Sequence, residues 1–273
     1  MDLPPFHLRV IEDIHAARAR FGLLLAGAYA LRAHGLAARP APNAGLGMSE
    51  RTDRDEGAAP DSGGDLRVET PPRIAPGPRA SLDFVATGET PLAEVTAGVA
   101  AELERHGLAA EAVELGRRMG RLAVTDEIGG QTCEVRLLSE TLRDRPTTLD
   151  RCPVVGLDDA VGLQVRALHD RGLPEDFADL VSVSELHPFR EMERLGALHT
   201  DDWRLDDLLR RLESVDLLAD EAFAACGLDD DGVDAVRRFA YAWAEDIRLR
   251  RVEDGDIDEE TFDQDILDIP DVD

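Results

Sequence analysis

Residues 21–35 read FGLLLAGAYALRAHG. Leu23 to Ala26 is a short apolar run that stops at Gly27, the pattern of a buried strand. Ala28 to His34 then reads as a short helix. Upstream, over residues 8–21, Val10, Ile11, Ile14, Ala17 and Phe21 fall at helical spacing. The next clear signal is SLDFVA at 81–86, where Leu82, Phe84 and Ala86 alternate with Ser81, Asp83 and Val85, a strand signature. The unit is therefore helix, strand, glycine turn, short helix, then a strand carrying Asp83.

That order has a chemical meaning. A glycine turn lets backbone N–H groups and a helix N-terminus approach a triphosphate. Carboxylates two apart on a strand face the same way and together can hold a Mg²⁺ that bridges phosphates and activates a hydroxyl.

Further along, Leu92, Val95, Val99 and Leu103 mark an amphipathic helix that ends near Gly107. Strands are expected at Ala112–Leu115 and Leu122–Thr125. A Gly129-Gly130 turn leads into Thr132–Leu138, where Cys133, Val135 and Leu137 share a face. After Gly156 the pattern becomes wholly helical. One helix runs from Leu157 to about Asp170; Leu205, Leu208, Leu209 and Leu212 mark a second; Val236, Phe239, Trp243 and Ile247 mark a third. Strands mixed with helices, then helices alone, predict an α+β fold. A small mixed sheet with helices occupies 1–155 and a helical domain occupies 156–252.

Two segments differ in composition. Residues 40–78 hold seven of the fifteen prolines and six glycines. They offer too little apolar surface to offset the entropy of ordering, so a disordered insertion is expected. Residues 253–273 contain eleven carboxylates and no cation, which reads as a solvated, disordered tail. The sharper reading makes it a nucleic-acid mimic or a docking strip for a basic partner.

Composition narrows the function classes. Apolar residues make up 43% of the 273 but aromatics only 4%, so the core is built mostly from Leu, Val, Ala and Ile. No apolar run approaches the ~20 residues of a membrane helix, and Glu12 and Asp13 ahead of Phe21–Leu31 argue against a signal-peptide core. Cys133, Cys152 and Cys226 form no C-x-x-C pair, so reduced thiols in a cytoplasm are expected. His169 and His199 have no partner at metal-ligand spacing. The chain contains no lysine, which excludes Schiff-base and P-loop lysine mechanisms. A formal charge of −27 opposes tight binding to a phosphate backbone.

The wording of His7–Leu36, Arg79–Thr87, Cys133–Leu138 and Val155–Leu180, with LGALHTDD at 195–202, resembles the AbiEii-type toxin family of nucleotidyltransferases in its actinobacterial form. The resemblance covers nearly the whole chain outside 40–78 and the tail. It implies a polymerase-β-like nucleotidyltransferase domain, a helical second domain, and an NTP with Mg²⁺. It also implies a cognate antitoxin, and for some members tRNA ends as acceptors.

Carried over residue by residue, Gly27 and Ala28 take the place of the family's Gly-Gly or Gly-Ser turn, and Asp83 is the second acid of its Asp-x-Asp. Ser81 stands where the first acid belongs, and Arg136 where a later strand carries another. Glu134, two residues back on the same face, is the substitute metal ligand beside Asp83. Gln164 occupies the place of a nucleotide-contacting lysine. Asp176 and Asp179 keep both aspartates of an Arg-Asp-x-x-Asp whose arginine has become Glu175. Asp53-Arg54-Asp55 also reads Asp-x-Asp, but without apolar flanks to make a strand.

Losing one metal carboxylate or phosphate cation typically costs ~10²-fold or more in rate. Several such losses predict a degenerate member with Asp83 paired to Arg136 in the former metal position. The alternatives are an active toxin using Asp83, Glu134 and Asp176 in a rearranged site, and an interaction protein acting through its acidic tail.

Overall fold

The computed structural model describes residues 3–36, 81–149 and 152–253. The expected insertion at 40–78, Asp53-Arg54-Asp55 and all of the tail beyond Glu253 lie outside these residues. In chain order the N-terminal elements are α1 (Pro5–Asp13), α2 (His15–Phe21), β1 (Leu23–Ala26), α3 (Gly27–Ala33), β2 (Ser81–Ala86) and α4 (Leu92–Arg105). Five strands follow: β3 (Ala109–Leu115), β4 (Met119–Asp126), β5 (Gln131–Ser139), β6 (Thr147–Leu149) and β7 (Cys152–Val154). The rest is helical: α5 (Leu157–Asp170), α6 (Pro174–Val181), α7 (Phe189–Ala197), α8 (Leu205–Glu213), α9 (Asp220–Ala225) and α10 (Asp230–Glu253), with two short 3₁₀ turns.

The seven strands form one mixed sheet in the order β3-β4-β5-β2-β1-β7-β6. β1 lies inside it, antiparallel to β2 and parallel to β7. All four of its side chains are buried, which is why it reads as an unbroken apolar run and not as an alternation. β2 and β5 run parallel, while β3, β4 and β5 are joined antiparallel. On β2, β4 and β5 the side chains Leu82, Phe84, Leu122, Val124, Cys133, Val135 and Leu137 are buried. The alternate positions Ser81, Asp83, Arg121, Glu134 and Arg136 are only partly covered. Burying a side chain of this size contributes about 1.5–3 kcal/mol, so the alternation fixes which face looks inward and leaves the polar face for a site.

α4 buries Leu92, Val95, Val99 and Leu103, the expected stripe, against the β3–β5 region and α2. α5 packs on α3, α6, α7 and α8. In α10, Trp243 is fully buried, stacks on Phe189 at 5.2 Å, and donates its indole N–H to Glu193 at 2.9 Å. Buried apolar residues of the sheet and of the helices after it form one continuous cluster.

The structure corrects several boundaries. The single helix expected over 8–21 is two, parted at Ile14 (φ −90°, ψ 13°). The first begins at Pro5, where a missing N–H costs nothing at a helix start. β3 starts three residues earlier than expected and carries a bulge between Ala112 and Glu114. β6, β7, α6, α7 and α9 were not predicted. No helix among the described residues is long and apolar enough to cross a membrane.

Candidate functional site

In the parallel register of β2 and β5, Asp83 lies opposite Arg136 and Ser81 opposite Glu134. Position and facing together bring the four side chains to one patch. Arg136 donates from Nε to Asp83 Oδ1 at 2.7 Å and from Nη2 to Ser81 Oγ. Both charged side chains are nearly enclosed, 13% and 14% exposed. Burial pulls the guanidinium's pKa down, but the carboxylates of Asp83, Asp176 and Glu134 more than offset this and hold it above the ordinary arginine value. Arg136 is a fixed cation.

Gly27 lies under the same carboxylate. Its φ is +62°, and a Cβ placed there would come within 2.4 Å of Asp83 Oδ2. Only glycine satisfies both the left-handed backbone and the space. Ala26 and Asp83 are partners in the β1–β2 register, which is what seats the glycine there.

Glu134 is held between Arg121 Nη1 at 3.7 Å and Arg136 Nε at 4.0 Å. Asp176 is completely buried. It accepts from the Leu173 N–H at 3.0 Å, the side-chain return of a capping box at the start of α6. It also accepts from Arg171 Nε at 3.2 Å and from Nη2. Burial lowers the Arg171 pKa, Asp176 raises it further than that, and nearby Arg136 pushes it down, for a net rise. Asp179 is buried and accepts from Gln164 Nε2 at 3.3 Å.

Between the polar face of the sheet and α5 lies a cavity of about 290 Å³. Its wall includes Gly27, Asp83, Arg136 and Gln164, and also Arg118, Arg166, Asp170, Arg171 and Thr200. Three of the predicted residues, Gly27, Asp83 and Gln164, thus meet at one cavity. Asp176 reaches it through Arg171. Ala28, Glu134 and Asp179 do not line it. Arg118, Arg166 and Arg171 are the residues that sequence reasoning missed. One signal was available: Gln164 and Ala167 on α5 and Arg171 at its C-cap recur at helical spacing and so fall on one side of the helix.

Divalent magnesium, which the resemblance implies, needs several oxygen ligands, at least one or two of them carboxylates. Among the described residues no group of three or more His, Cys, Asp or Glu could hold a metal ion. Asp83 and Ser81 both already accept from Arg136, and the cavity wall carries four arginines against two aspartates. These residues do not fit a divalent cation, because the ion would have to displace the Arg136 guanidinium from Asp83, the carboxylate it bonds at 2.7 Å.

The histidines lie elsewhere. His169 stacks on Trp203 at 4.8 Å and bonds Asp170. His199 is buried with Nε2 3.4 Å from Asp159, its pKa lowered chiefly by burial.

No protein-family model matches the chain, and no curated protein does. Among solved structures, a proposed nucleotidyltransferase from H. pylori is 12% identical with a TM-score of 0.45, over 90% of this chain and 98% of that one. JHP933 from Helicobacter pylori is also 12% identical with a TM-score of 0.45, over 91% and 94%. MenT4, a nucleotidyltransferase toxin of Mycobacterium tuberculosis H37Rv, is 17% identical with a TM-score of 0.33, over 60% and 76%.

Proposed function

We propose that this chain is a nucleotidyltransferase-like protein of the AbiEii type in which Mg²⁺-dependent nucleotide transfer is weakened or lost. The observation that carries this reading is the Asp83–Arg136 pair, closed at 2.7 Å in a nearly enclosed setting. The carboxylate best placed to hold a metal is neutralised by a cation on the next strand. The other acids an active site would use are also engaged, Glu134 by two arginines and Asp176 by Arg171 and a backbone N–H. Electrostatic stabilisation is usually the largest catalytic term, and each lost metal ligand or phosphate cation costs ~10²-fold or more. A cognate antitoxin as partner belongs to the same reading, and a tRNA acceptor only as far as transfer survives.

The test is incubation of the purified protein with labelled NTPs, Mg²⁺ and total tRNA. Transfer at background level, unaltered by Asp83→Ala, is the expected result. Robust labelling that Asp83→Ala abolishes would establish the active toxin instead.

A further inference from the structure

The cavity wall is rich in N–H donors and short of acceptors. Each guanidinium carries five N–H groups, and the bonds made by these arginines occupy only some of them. Arg136 uses Nε and Nη2 for Asp83 and Ser81. Arg171 uses Nε and Nη2 for Asp176. Arg118 and Arg166 converge on one point: both donate to Glu140, whose side chain is 1% exposed, and both donate to the His199 carbonyl at 3.1 Å. One carboxylate is thus shared by two cations. The remaining acid on the wall, Asp170, is half exposed and 3.9 Å from Arg166 Nε. Arg118 and Arg171 open to solvent, at 53% and 31%.

We propose that this cavity binds a small phosphate-bearing anion, of the size of a diphosphate, without any divalent cation, the remaining N–H groups of Arg118, Arg136, Arg166 and Arg171 taking the phosphate oxygens that a metal would otherwise take. Phosphate oxygens match a guanidinium fork bidentately, and four forks around one space suit two linked tetrahedral centres better than one. The volume, about 290 Å³, lies at the lower end of small-molecule pockets, which span roughly 300–1,000 Å³. The inference deepens the reading above and rests on it for one point, that Asp83 answers to Arg136 and not to a metal.

The sign of one substitution separates the two kinds of site. At a metal site Asp83 is a ligand, and Asp83→Asn weakens binding. At a guanidinium site Asp83 competes with the anion for Arg136, so Asp83→Asn, which keeps an acceptor oxygen for Arg136, tightens it. The experiment is calorimetric titration of the full chain with inorganic pyrophosphate, in EDTA and again in excess Mg²⁺. Expected are binding in EDTA, a gain of several-fold in affinity for Asp83→Asn, and a loss on the order of tenfold for Arg118→Gln. Arg118 is half exposed and Glu140 keeps Arg166, so Arg118→Gln reads the site even if Asp83→Asn does not fold. Absence of binding in EDTA, binding that requires Mg²⁺, or an affinity indifferent to Arg118→Gln would each overturn the proposal. The nucleotide-transfer assay reads the underlying function separately: labelling with pyrophosphate bound in EDTA removes only the transfer-deficient reading, and no labelling with no pyrophosphate bound removes only this one.

Discussion

His7 sits on α1 with Nδ1 2.7 Å from the hydroxyl of Tyr29 on α3, and the imidazole is 5% exposed. Burial disfavours the charged ring and lowers its pKa from 6.5 to about 4. A base with a folded pKa below its unfolded one binds fewer protons in the native state. Its contribution to stability is therefore whole above about pH 6.5 and shrinks as pH falls toward 4. A shift of this size corresponds to at most about 3 kcal/mol. Urea midpoints of the wild type and His7→Gln are expected to differ by a constant amount above pH 7. The wild type then loses ground to the variant between pH 6.5 and 4, and parallel curves across that window would refute the buried neutral imidazole. At the same scale, the site was half legible. Gly27, Asp83, Arg136 and Gln164 could be found because a turn glycine, a strand aspartate and a helix position have fixed local meanings. Arg118, Arg166 and Arg171 look like ordinary surface arginines in a chain that has no lysine and uses arginine in its place. Only the meeting of the β3–β4 turn with α5 turns them toward one cavity.

Helix α5 is held against α7 by closeness of backbone. A Cβ on Gly162 would lie 2.6 Å from the Leu195 carbonyl oxygen and 2.6 Å from His199 Cδ2; one on Gly196 would lie 2.6 Å from Val165 Cγ1. Helix propensity alone favours Gly162→Ala by about 1 kcal/mol. Packing opposes it, because overfilling a well-packed contact costs about 1–3 kcal/mol and a carbonyl oxygen cannot rotate away. We expect Gly162→Ala to lower stability by about 1–2 kcal/mol in a urea titration, and a stabilised variant would show that the two helices can part. The close approach left no periodic trace in the sequence. Elements that bury a repeating stripe did: α4, α8 and α10 follow the 3.6 spacing, β5 follows the alternation, and β2 follows it as far as Phe84, with Val85 buried against the expectation. β6 and β7 are three residues each, and β7 contains Pro153. No period can be read from three residues, and Pro is expected only at strand edges or ends. Their pairing is fixed by contact, β7 with β1 through Leu25 and Val154.

Across the whole molecule, charge and fold are separable. Residues 254–273 carry ten carboxylates and no cation, so removing them takes the formal charge from −27 to −17. The last described helix buries Val233, Val236, Phe239, Ala240, Trp243, Ala244 and Ile247, all upstream of the cut. Arg250 and Arg251 near its end are already tied to Glu193 and Asp206. The anchors of α10 among the described residues all lie upstream of the cut, whereas like charge on one chain opposes compaction. A chain ending at Glu253 is therefore expected to melt within about 2 °C of the full one, since 1 kcal/mol shifts Tm by about 2–4 °C in chains of this size. It should also elute earlier from an anion-exchange column. A fall in Tm beyond about 4 °C would mean that the acidic segment packs against the body and belongs to the fold. An unchanged Tm accompanied by loss of a basic protein that co-purifies with the full chain would assign the segment to partner binding.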